Sequence, residues 1–438
     1  MKPIKISIIG AGSGCFSLAM VRDICLNKNL QGSTISFIDI DVERLDAVHT
    51  LCTRYAAELG SNLELEKTTD RRESLKNADF VINTALAAGH ERLKEGFRIA
   101  YKHGFRFPGS YHIMYDEAFW INFYQLRLME ALTEDMLEIC PDAWHLMVMN
   151  PVVAGTTHIL RKYPKAKMVG LCHGYNEVKR LADELGVKKD ELNYEIAGVN
   201  HFVWLTSMFG KGEDKCAALL EAAKGSENPR KRLFELLGVH PIGDTAGWTG
   251  ALWPWWNNME HSGLDFWKDD LTETKHGWDS YFNRVYKNAE DIKRHSKDMS
   301  VKLTDIYPPN ATDELMVPLI ESIACDIPRV FIVNILNTNE FVPGIPNDFE
   351  VEIPALCSKR GVQGIKTAGL PKPILLHALR DRVVPVEMEL EAYEKGSKEL
   401  LLQVILMDKW CTSKEQAEAF LDEILALPYH EEMRNHYK

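Results

Sequence analysis

Apolar and polar positions in the first 200 residues alternate between short apolar runs and longer amphipathic stretches. The runs at 5–9 and 34–41 have the length and β-branched content of buried strands, and the stretches at 16–26 and 42–60 repeat with a helical period. Further strands are predicted at 63–67, 78–85, 144–150, 167–171 and 194–199, and helices at 117–139 and 174–186. This alternation predicts a mostly parallel sheet covered by helices.

The pattern changes beyond about residue 205. Apolar runs at 330–336 and 349–353 predict strands of a second, smaller sheet, and long helical patterns follow at 373–410 and 413–426. The chain shows no internal repeat and no low-complexity linker, so we expect two packed domains, 1–195 and 196–438. Residues 87–116 are predicted to be rich in loops, with a mobile segment around 107–109.

Five residues between the first strand and the first helix form a glycine-rich turn: Gly10, Ala11, Gly12, Ser13 and Gly14. Strand, glycine turn and helix in this order are typical of a dinucleotide-binding domain, because the backbone can approach a pyrophosphate at the helix N-terminus. The predicted fold class is therefore α/β, a Rossmann-like doubly wound parallel sheet with a second α+β domain.

Acidic and polar residues follow the next strands at the same edge of the sheet. Asp39 stands at the spacing of a carboxylate that binds the adenosine ribose, which favours NAD over NADP. Asp41 fits the alternative role of a helix N-cap better than Asp39 does. Asn83 and Thr84 end a later strand, where we expect the cofactor to cross the sheet.

A metal-binding pair is predicted where two later segments end. Asn150 closes a strand at Pro151, Cys172 and His173 close the next one, and His201 follows the strand after the next helix. Thiolate and imidazole are good ligands for a borderline divalent metal. The nine cysteines include no CxxC pair, which is typical of reduced cytosolic thiols.

Composition limits the partners and the compartment. A formal charge of −12 argues against nucleic acid and anionic membranes, which both need a basic face. The N-terminus lacks the apolar core of a signal peptide, and we expect a cytoplasmic protein. Six of the ten tryptophans lie between 248 and 278; packing, a homodimer or homotetramer interface, and sugar stacking all fit this cluster.

These residues leave two kinds of enzyme open, a hydroxy-acid dehydrogenase and one that uses hydride transfer transiently while a metal acidifies a neighbouring carbon. The sequence resembles glycoside hydrolase family 4 over nearly its whole length. The matching motifs are Gly10-Ala-Gly-Ser13, Phe37-Ile-Asp-Ile-Asp41 with Arg44, Asn150-Pro151, Cys172-His173-Gly174, Gly198-Val-Asn200-His201, Ile242-Gly-Asp244-Thr245 and Val333-Asn-Ile-Leu-Asn337.

The resemblance implies a lactate/malate dehydrogenase-like C-terminal domain and a redox–elimination route. In that route NAD oxidises the sugar at C3, a divalent metal such as Mn²⁺ stabilises the enediolate formed at C2, and the aglycone leaves by elimination. Water then adds at C1 and C3 is reduced again. The family assigns the metal to Cys172 and His201, and Asp244 is our candidate for the base.

Residue by residue, the resemblance also implies the substrate contacts. Asn150 would bind a sugar hydroxyl and the nicotinamide, and His173, Asn200 and Asp116 would contact the sugar. Cys-His-Gly resembles the branch that cleaves α-linked glucuronides or galacturonides, with a neutral α-glucosidase or α-galactosidase as the alternative. A non-catalytic NAD-binding protein is a third class. Cations in the segment 87–116 are candidates for the C6 carboxylate: Arg92, Arg98 and Arg106.

Overall fold

The computed structural model describes residues 3–14, 16–106, 109–188, 190–226, 228–246 and 278–438. The strands are β1 Lys5–Ile9, β2 Thr34–Ile38, β3 Glu64–Thr68, β4 Phe80–Asn83, β5 Trp144–Met147, β6 Lys167–Gly170, β7 Leu192–Val199, β8 Phe202–Gly210, β9 Glu213–Asp214, β10 His240–Ile242, β11 Arg329–Leu336, β12 Glu350–Ser358 and β13 Gly361–Gly364.

The helices are α1 Ser17–Leu26, α2 Val42–Glu58, α3 Arg71–Leu75, α4 Gly89–Lys102, α5 Phe119–Ile139, α6 Val152–Lys162, α7 Asn176–Glu184, α8 Cys216–Ala223, α9 Pro229–Leu237, α10 Trp278–Lys297, α11 Leu303–Ile306, α12 Met316–Cys325, α13 Lys372–Ala378, α14 Val384–Lys395, α15 Lys398–Leu406, α16 Lys414–Ala426 and α17 Glu431–His436. No helix in the described ranges is long and apolar enough to cross a membrane.

Six parallel strands form one side of the nine-stranded larger sheet, in the order β3-β2-β1-β4-β5-β6. The sequence winds outwards from β1 in both directions, which is the order of a dinucleotide-binding fold. The predicted doubly wound parallel sheet is therefore confirmed. Its carboxyl ends deliver the glycine turn, Asn83, Asn150 and Cys172 to one edge.

Two strand predictions were wrong in their partners. We expected 330–336 and 349–353 to form a separate sheet, but β11 and β12 extend the large sheet by antiparallel pairing beyond β6. The strand predicted at 194–199 belongs instead to a small antiparallel sheet with the order β10-β8-β7. Antiparallel hairpins need only short connections, so the second half can both extend the first sheet and build its own.

Residues 87–116 were predicted to be loop-rich, but α4 occupies 14 of these 30 residues. Gly96 in the middle of α4 suggests a helix breaker, yet a Cβ there would lie 2.1 Å from the Trp120 indole. Phe119 and Trp120 in turn pack edge-on against Phe420 of α16. The glycine therefore permits close packing of α4 against α5, the helix that carries Trp120.

Local capping signals were more reliable. Asp41 accepts a hydrogen bond from the Arg44 amide at 3.1 Å and caps α2, and Ser413 accepts one from the Gln416 amide at 3.1 Å and caps α16. Both side chains satisfy amides that the first helical turn leaves without a backbone partner. The pattern predicted one long helix at 373–410; the chain forms α13, a π turn at Leu379–Val383, α14 and α15 instead.

Candidate active site at the sheet edge

The glycine turn is shaped by positive backbone angles and by close contacts. Gly10 and Gly14 have φ of 80° and 69°, in the left-handed region that side chains disfavour. A Cβ at Gly10 would lie 2.5 Å from the Ala85 backbone, and one at Gly12 would lie 2.7 Å from a carboxylate oxygen of Asp39. The turn is therefore a bare-backbone cradle at the N-terminus of a helix, the arrangement that suits a pyrophosphate.

Hydrogen bonds made by Asp39 and by residues at the end of β4 fix the conformation of this turn. Asp39 Oδ2 accepts the Gly12 amide at 2.8 Å and Oδ1 accepts the Asp41 amide at 2.9 Å. Thr84 donates its hydroxyl to the Ile9 carbonyl at 2.9 Å, and Asn83 Oδ1 accepts the Ala85 amide at 3.1 Å. The Nδ2 donor of Asn83 has no partner within the part of the chain that the structure describes, so the edge keeps a donor for a ligand.

His201 reaches the same edge on a two-residue turn between β7 and β8. Val199 pairs with Phe202, and His201 between them has φ of 61°. A left-handed conformation of a residue with a Cβ costs roughly 1–2 kcal/mol, and such strain clusters at functional sites. The turn directs the His201 ring away from the small sheet and towards Cys172, with which it shares a hydrogen bond.

One pocket of about 300 Å³ brings together most of the residues predicted to act in catalysis, metal binding or substrate binding. Its lining includes Asp116, Asn150, Cys172, His173, His201 and Asp244. Asn200 is not among the described residues that line it: this side chain is fully buried, and its Nδ2 donates to Glu352 at 2.8 Å. In this structure Asn200 therefore supports the turn from behind the pocket.

Asp244 and Asp116 flank the imidazole. Asp244 Oδ2 lies 3.5 Å from His201 Nε2 and accepts the Tyr115 hydroxyl at 3.2 Å. Asp116 accepts the Asn150 amide at 2.9 Å. Burial raises the pKa of Asp116 to about 7, and the neighbouring charges of Glu117 and Asp244 add to that effect.

The acidic groups that line this pocket favour a positive charge at its centre. Burial by itself would lower the pKa of His201, but the hydrogen bonds to Cys172 and Glu117 outweigh it and raise the pKa well above the ordinary value. Burial raises the pKa of Cys172, and His201 opposes that shift. A thiol, an imidazole and carboxylates line this pocket, and such groups are suitable ligands for a borderline divalent cation.

Glu117 lies within ligand distance of Asp116 and His201 as well, but it is already engaged. It accepts from His201 Nδ1 at 2.8 Å and from Arg382 Nη2 at 3.0 and 3.2 Å. Burial alone would raise the pKa of Glu117; the Arg382 charge and the His201 hydrogen bond instead hold it at about 2. We therefore assign Glu117 to the surroundings of His201 and not to the cation.

The arginines proposed for a sugar carboxylate lie elsewhere. The Arg92 guanidinium stacks on Tyr124 and Tyr429, Arg98 lies 3.6 Å from Glu95, and Arg106 donates to backbone carbonyls of its own loop. None of the three is among the described residues that line the pocket. Arg92 and Arg98 lie on α4 and Arg106 lies on the loop after it, and in this structure all three make their contacts outside the pocket.

Sequence reasoning missed two charged residues of the pocket lining, Arg284 on α10 and Glu314 before α12. Both stand among many similar charges in polar stretches, so no local signal distinguishes them. The mobile segment predicted at 107–109 falls mainly on 107 and 108, which lie outside the described residues. The same holds for the tryptophan cluster, whose residues 248–267 and the Trp278 side chain are not described.

Comparison with known proteins extends over the whole chain. The profile of the family 4 glycosyl hydrolases matches residues 5–187, and the profile of that family's C-terminal domain matches residues 196–411. An α-galactosidase of Bacillus subtilis (strain 168) is 26% identical over 420 residues, with 92% of each chain covered. An α-galacturonidase of Thermoanaerobacter italicus is 25% identical over 454 residues, covering 95% of this chain and 94% of the relative.

Solved structures agree in fold. A 6-phospho-α-glucosidase from gut microorganisms, in complex with NAD and Mn²⁺, matches with a TM-score of 0.81 at 18% identity and covers 100% of this chain and 99% of that one. A lactate dehydrogenase of Eimeria maxima with NADH and oxamate matches at 0.54 and 15% identity, covering 90% and 96%, which confirms the predicted dehydrogenase-like architecture. The sheet order, the pocket at its edge and the two profile matches together place this chain in family 4 of the glycosyl hydrolases.

Proposed function

We propose that this family 4 glycosidase hydrolyses α-linked uronides, galacturonides or glucuronides, with NAD and a divalent metal such as Mn²⁺ bound at the sheet edge. One observation carries the proposal: Cys172, His201 and Arg284 line one pocket, at the end of the sheet that holds the glycine turn. The solved relative that contains NAD and Mn²⁺ supports the cofactors, and the α-galacturonidase relative supports the substrate class.

Residues of this chain supply binding and proton transfer. When bound, NAD accepts a hydride from the sugar and returns it, and the metal acts as a Lewis acid on the neighbouring oxygens. Cys172 and His201 would hold the metal, and the turn at 10–14 with Asp39 would hold the dinucleotide. Asn150, fixed by its hydrogen bond to Asp116, orients the sugar hydroxyls.

Asp244 is our candidate for the base that removes the C2 proton. Its carboxylate lies 3.5 Å from His201 Nε2, and the Tyr115 hydroxyl holds Oδ2 in place from the other side. A general base must lie within hydrogen-bond reach of the proton it removes, and the position of Asp244 beside the proposed metal ligand supports this role.

Arg284 is our candidate for the C6 carboxylate. It is exposed on α10, its guanidinium lies 5.8 Å from the Tyr281 ring, and it makes no ion pair with any described residue. A planar guanidinium can bind a carboxylate through two parallel hydrogen bonds.

A neutral α-galactoside is the second candidate substrate. The α-galactosidase relative supports it, and so do the three carboxylates Asp116, Asp244 and Glu314 in the lining, which disfavour an anionic sugar.

A panel of p-nitrophenyl α-glycosides, assayed with NAD, Mn²⁺ and a thiol reductant, separates these candidates. We expect the galacturonide or glucuronide to react fastest, with no steady accumulation of NADH. Arg284→Met should lower kcat/KM for the uronide by about 10- to 100-fold, because a hydrogen bond to a charged group contributes roughly 1.5–3 kcal/mol. It should leave a neutral galactoside unaffected.

Arg98→Met is the matched control, since Arg98 is an exposed arginine outside the described lining. Faster turnover of the neutral galactoside, with no effect of Arg284→Met on the uronide, would favour the second candidate. Lasting NADH production from a hydroxy acid would instead indicate a dehydrogenase.

A further inference from the structure

The two ring nitrogens of His201 have different surroundings. Nδ1 lies 2.8 Å from Glu117 Oε1 in the protein interior, whereas Nε2 faces the pocket 3.5 Å from Asp244 Oδ2. Glu117 accepts hydrogen bonds from a guanidinium, so it is a carboxylate, and a carboxylate can only accept from Nδ1. Nδ1 therefore carries a proton, and Nε2 is the nitrogen that faces the pocket and can bind a metal there.

Arg382 completes this arrangement from a segment far along the chain. It is fully buried on the π turn Leu379–Val383, and its Nη2 donates to both oxygens of Glu117. Single π turns inside helices occur often at functional sites. The guanidinium charge offsets the Glu117 charge, so the imidazole meets an ion pair and not a bare anion.

The same arginine also holds the strained backbone of the turn. Arg382 Nη2 donates to the Asn200 carbonyl at 3.1 Å, and the Tyr111 hydroxyl donates to the His201 carbonyl at 2.8 Å. The guanidinium stacks 3.8 Å from the Tyr111 ring centre. Carbonyls on both sides of His201 are therefore fixed by one connected group.

The ion pair between Glu117 and Arg382 is poorly suited to stabilising the fold. The Nε and Nη1 atoms of Arg382 are buried and have no hydrogen-bond partner among the described residues. Buried charges cost several kcal/mol each to desolvate, and apolar replacements of whole ion pairs are often neutral or stabilising. Because burying this ion pair costs free energy, its position beside a metal-ligand histidine is better explained by its effect on the imidazole.

We infer that Glu117 and Arg382 are positioning residues that fix the tautomer and the orientation of His201 for metal binding through Nε2. This inference rests on the proposed metal site at Cys172 and His201. Outer partners of a metal-bound histidine orient the ring and raise its basicity, and their loss typically lowers metal affinity by about 10- to 100-fold.

The test is metal binding to the chelator-treated protein, independent of turnover. Titration with Co²⁺, followed by the thiolate-to-metal charge-transfer absorption, reports the metal and Cys172 together, and calorimetry with Mn²⁺ gives the affinity. We expect Glu117→Gln and Arg382→Met each to weaken binding by about 10- to 100-fold. Arg382→Lys, which keeps the charge but not the planar fork, should lose less affinity than Arg382→Met.

Glu130→Gln is the matched control, because Glu130 makes a similar contact to a buried histidine, His158, at 2.6 Å and lies outside the described lining. It should leave the affinity within twofold of that of the wild type. Thermal unfolding and NAD affinity, measured on every variant, separate a local change from loss of the fold. If Arg382→Met does not fold, Glu117→Gln and Arg382→Lys decide the question.

The two proposals fail differently. If the wild-type protein binds Co²⁺ without a Cys172-dependent absorption band, the metal site of the proposed function is wrong. If the wild type shows the band, and folded Glu117→Gln and Arg382→Lys bind the metal as tightly, the positioning inference alone is overturned.

Discussion

Gly12→Ala is the most specific test of the dinucleotide site. The backbone angles of Gly12 allow a side chain, but the space around it does not. A Cβ there would lie 2.7 Å from Asp39 Oδ2 and 2.8 Å from Asp39 Cγ. Ordinary contact begins at 3.4 Å, so the carboxylate must retreat by about 0.7 Å. The hydrogen bond that Gly12 now donates to Asp39 at 2.8 Å would then be lost or severely stretched.

The magnitude follows from that hydrogen bond. Hydrogen bonds to charged groups contribute roughly 1.5–3 kcal/mol, and each 1.4 kcal/mol is about a tenfold change in affinity. Because the displaced carboxylate is also the predicted ribose ligand, we expect NAD affinity to fall by about 10- to 100-fold. Asp39 keeps its second contact, from the Asp41 amide at 2.9 Å, so the fold should survive.

Fluorescence titration with NADH and calorimetry with NAD measure the loss. Gly32→Ala is the control: Gly32 has φ of 78° and no atom closer than 3.8 Å to an added Cβ. It should cost stability by about 1–2 kcal/mol through strain and leave NAD affinity unchanged. A Gly12→Ala protein that binds NAD within twofold of the wild type would refute the assignment of Asp39 and the turn.

Three further predictions concern stability. Burial lowers the pKa of His145 to about 4, whereas the pKa in the unfolded chain is about 6.5. The free energy of unfolding should therefore fall by about 2 kcal/mol between about pH 7 and pH 5, as the unfolded chain takes up a proton that the folded protein does not. Thermal unfolding of His145→Leu should lack this loss. Arg54 donates to four backbone carbonyls at 295–301, so Arg54→Met should speed hydrogen exchange at the end of α10, and unchanged exchange would contradict that role. Asn200→Ala leaves Glu352 Oε2 buried without its donor and should lower the free energy of unfolding by about 1–3 kcal/mol, measured by urea titration; an unchanged midpoint would count against a supporting role.

The parallel core of the fold could be predicted because its signals are local. Apolar runs, the glycine turn and the caps at Asp41 and Ser413 each lie within a few neighbouring residues. The partners of β11 could not be predicted in this way. The side chain of Asn334 donates to the Gly170 carbonyl at 3.2 Å and helps join β11 to β6, across 164 residues of sequence. Pairing between strands so far apart in the sequence produces no hydrophobic periodicity that could predict it.

The residues of the candidate site also differ in whether the local sequence could predict them. Cys172, Asp244 and His201 stand in motifs that resemble one family, and all three line the pocket. Glu117 stands in the turn before α5 and Arg382 on the π turn at Leu379–Val383, and neither belongs to one of these motifs. Their contact joins positions 265 residues apart. Sequence reasoning finds groups that react or bind, and it misses groups whose role is set only by their neighbours in the fold.

Assembly of this site requires both halves of the chain to be packed together. Cys172 follows a strand of the parallel sheet, whereas His201 stands on the small sheet and is held by Arg382 from the C-terminal helices. Helix α10 makes a second connection, since a Cβ at Gly14 would lie 2.0 Å from Ile292 and the same helix carries Arg284 into the pocket. The proposed metal ligands Cys172 and His201 therefore follow strands of different sheets, and the glycine turn packs against a helix from the second half of the sequence. Binding of the metal and of the dinucleotide should therefore both stabilise the packing between the halves, because each ligand binds only the assembled state.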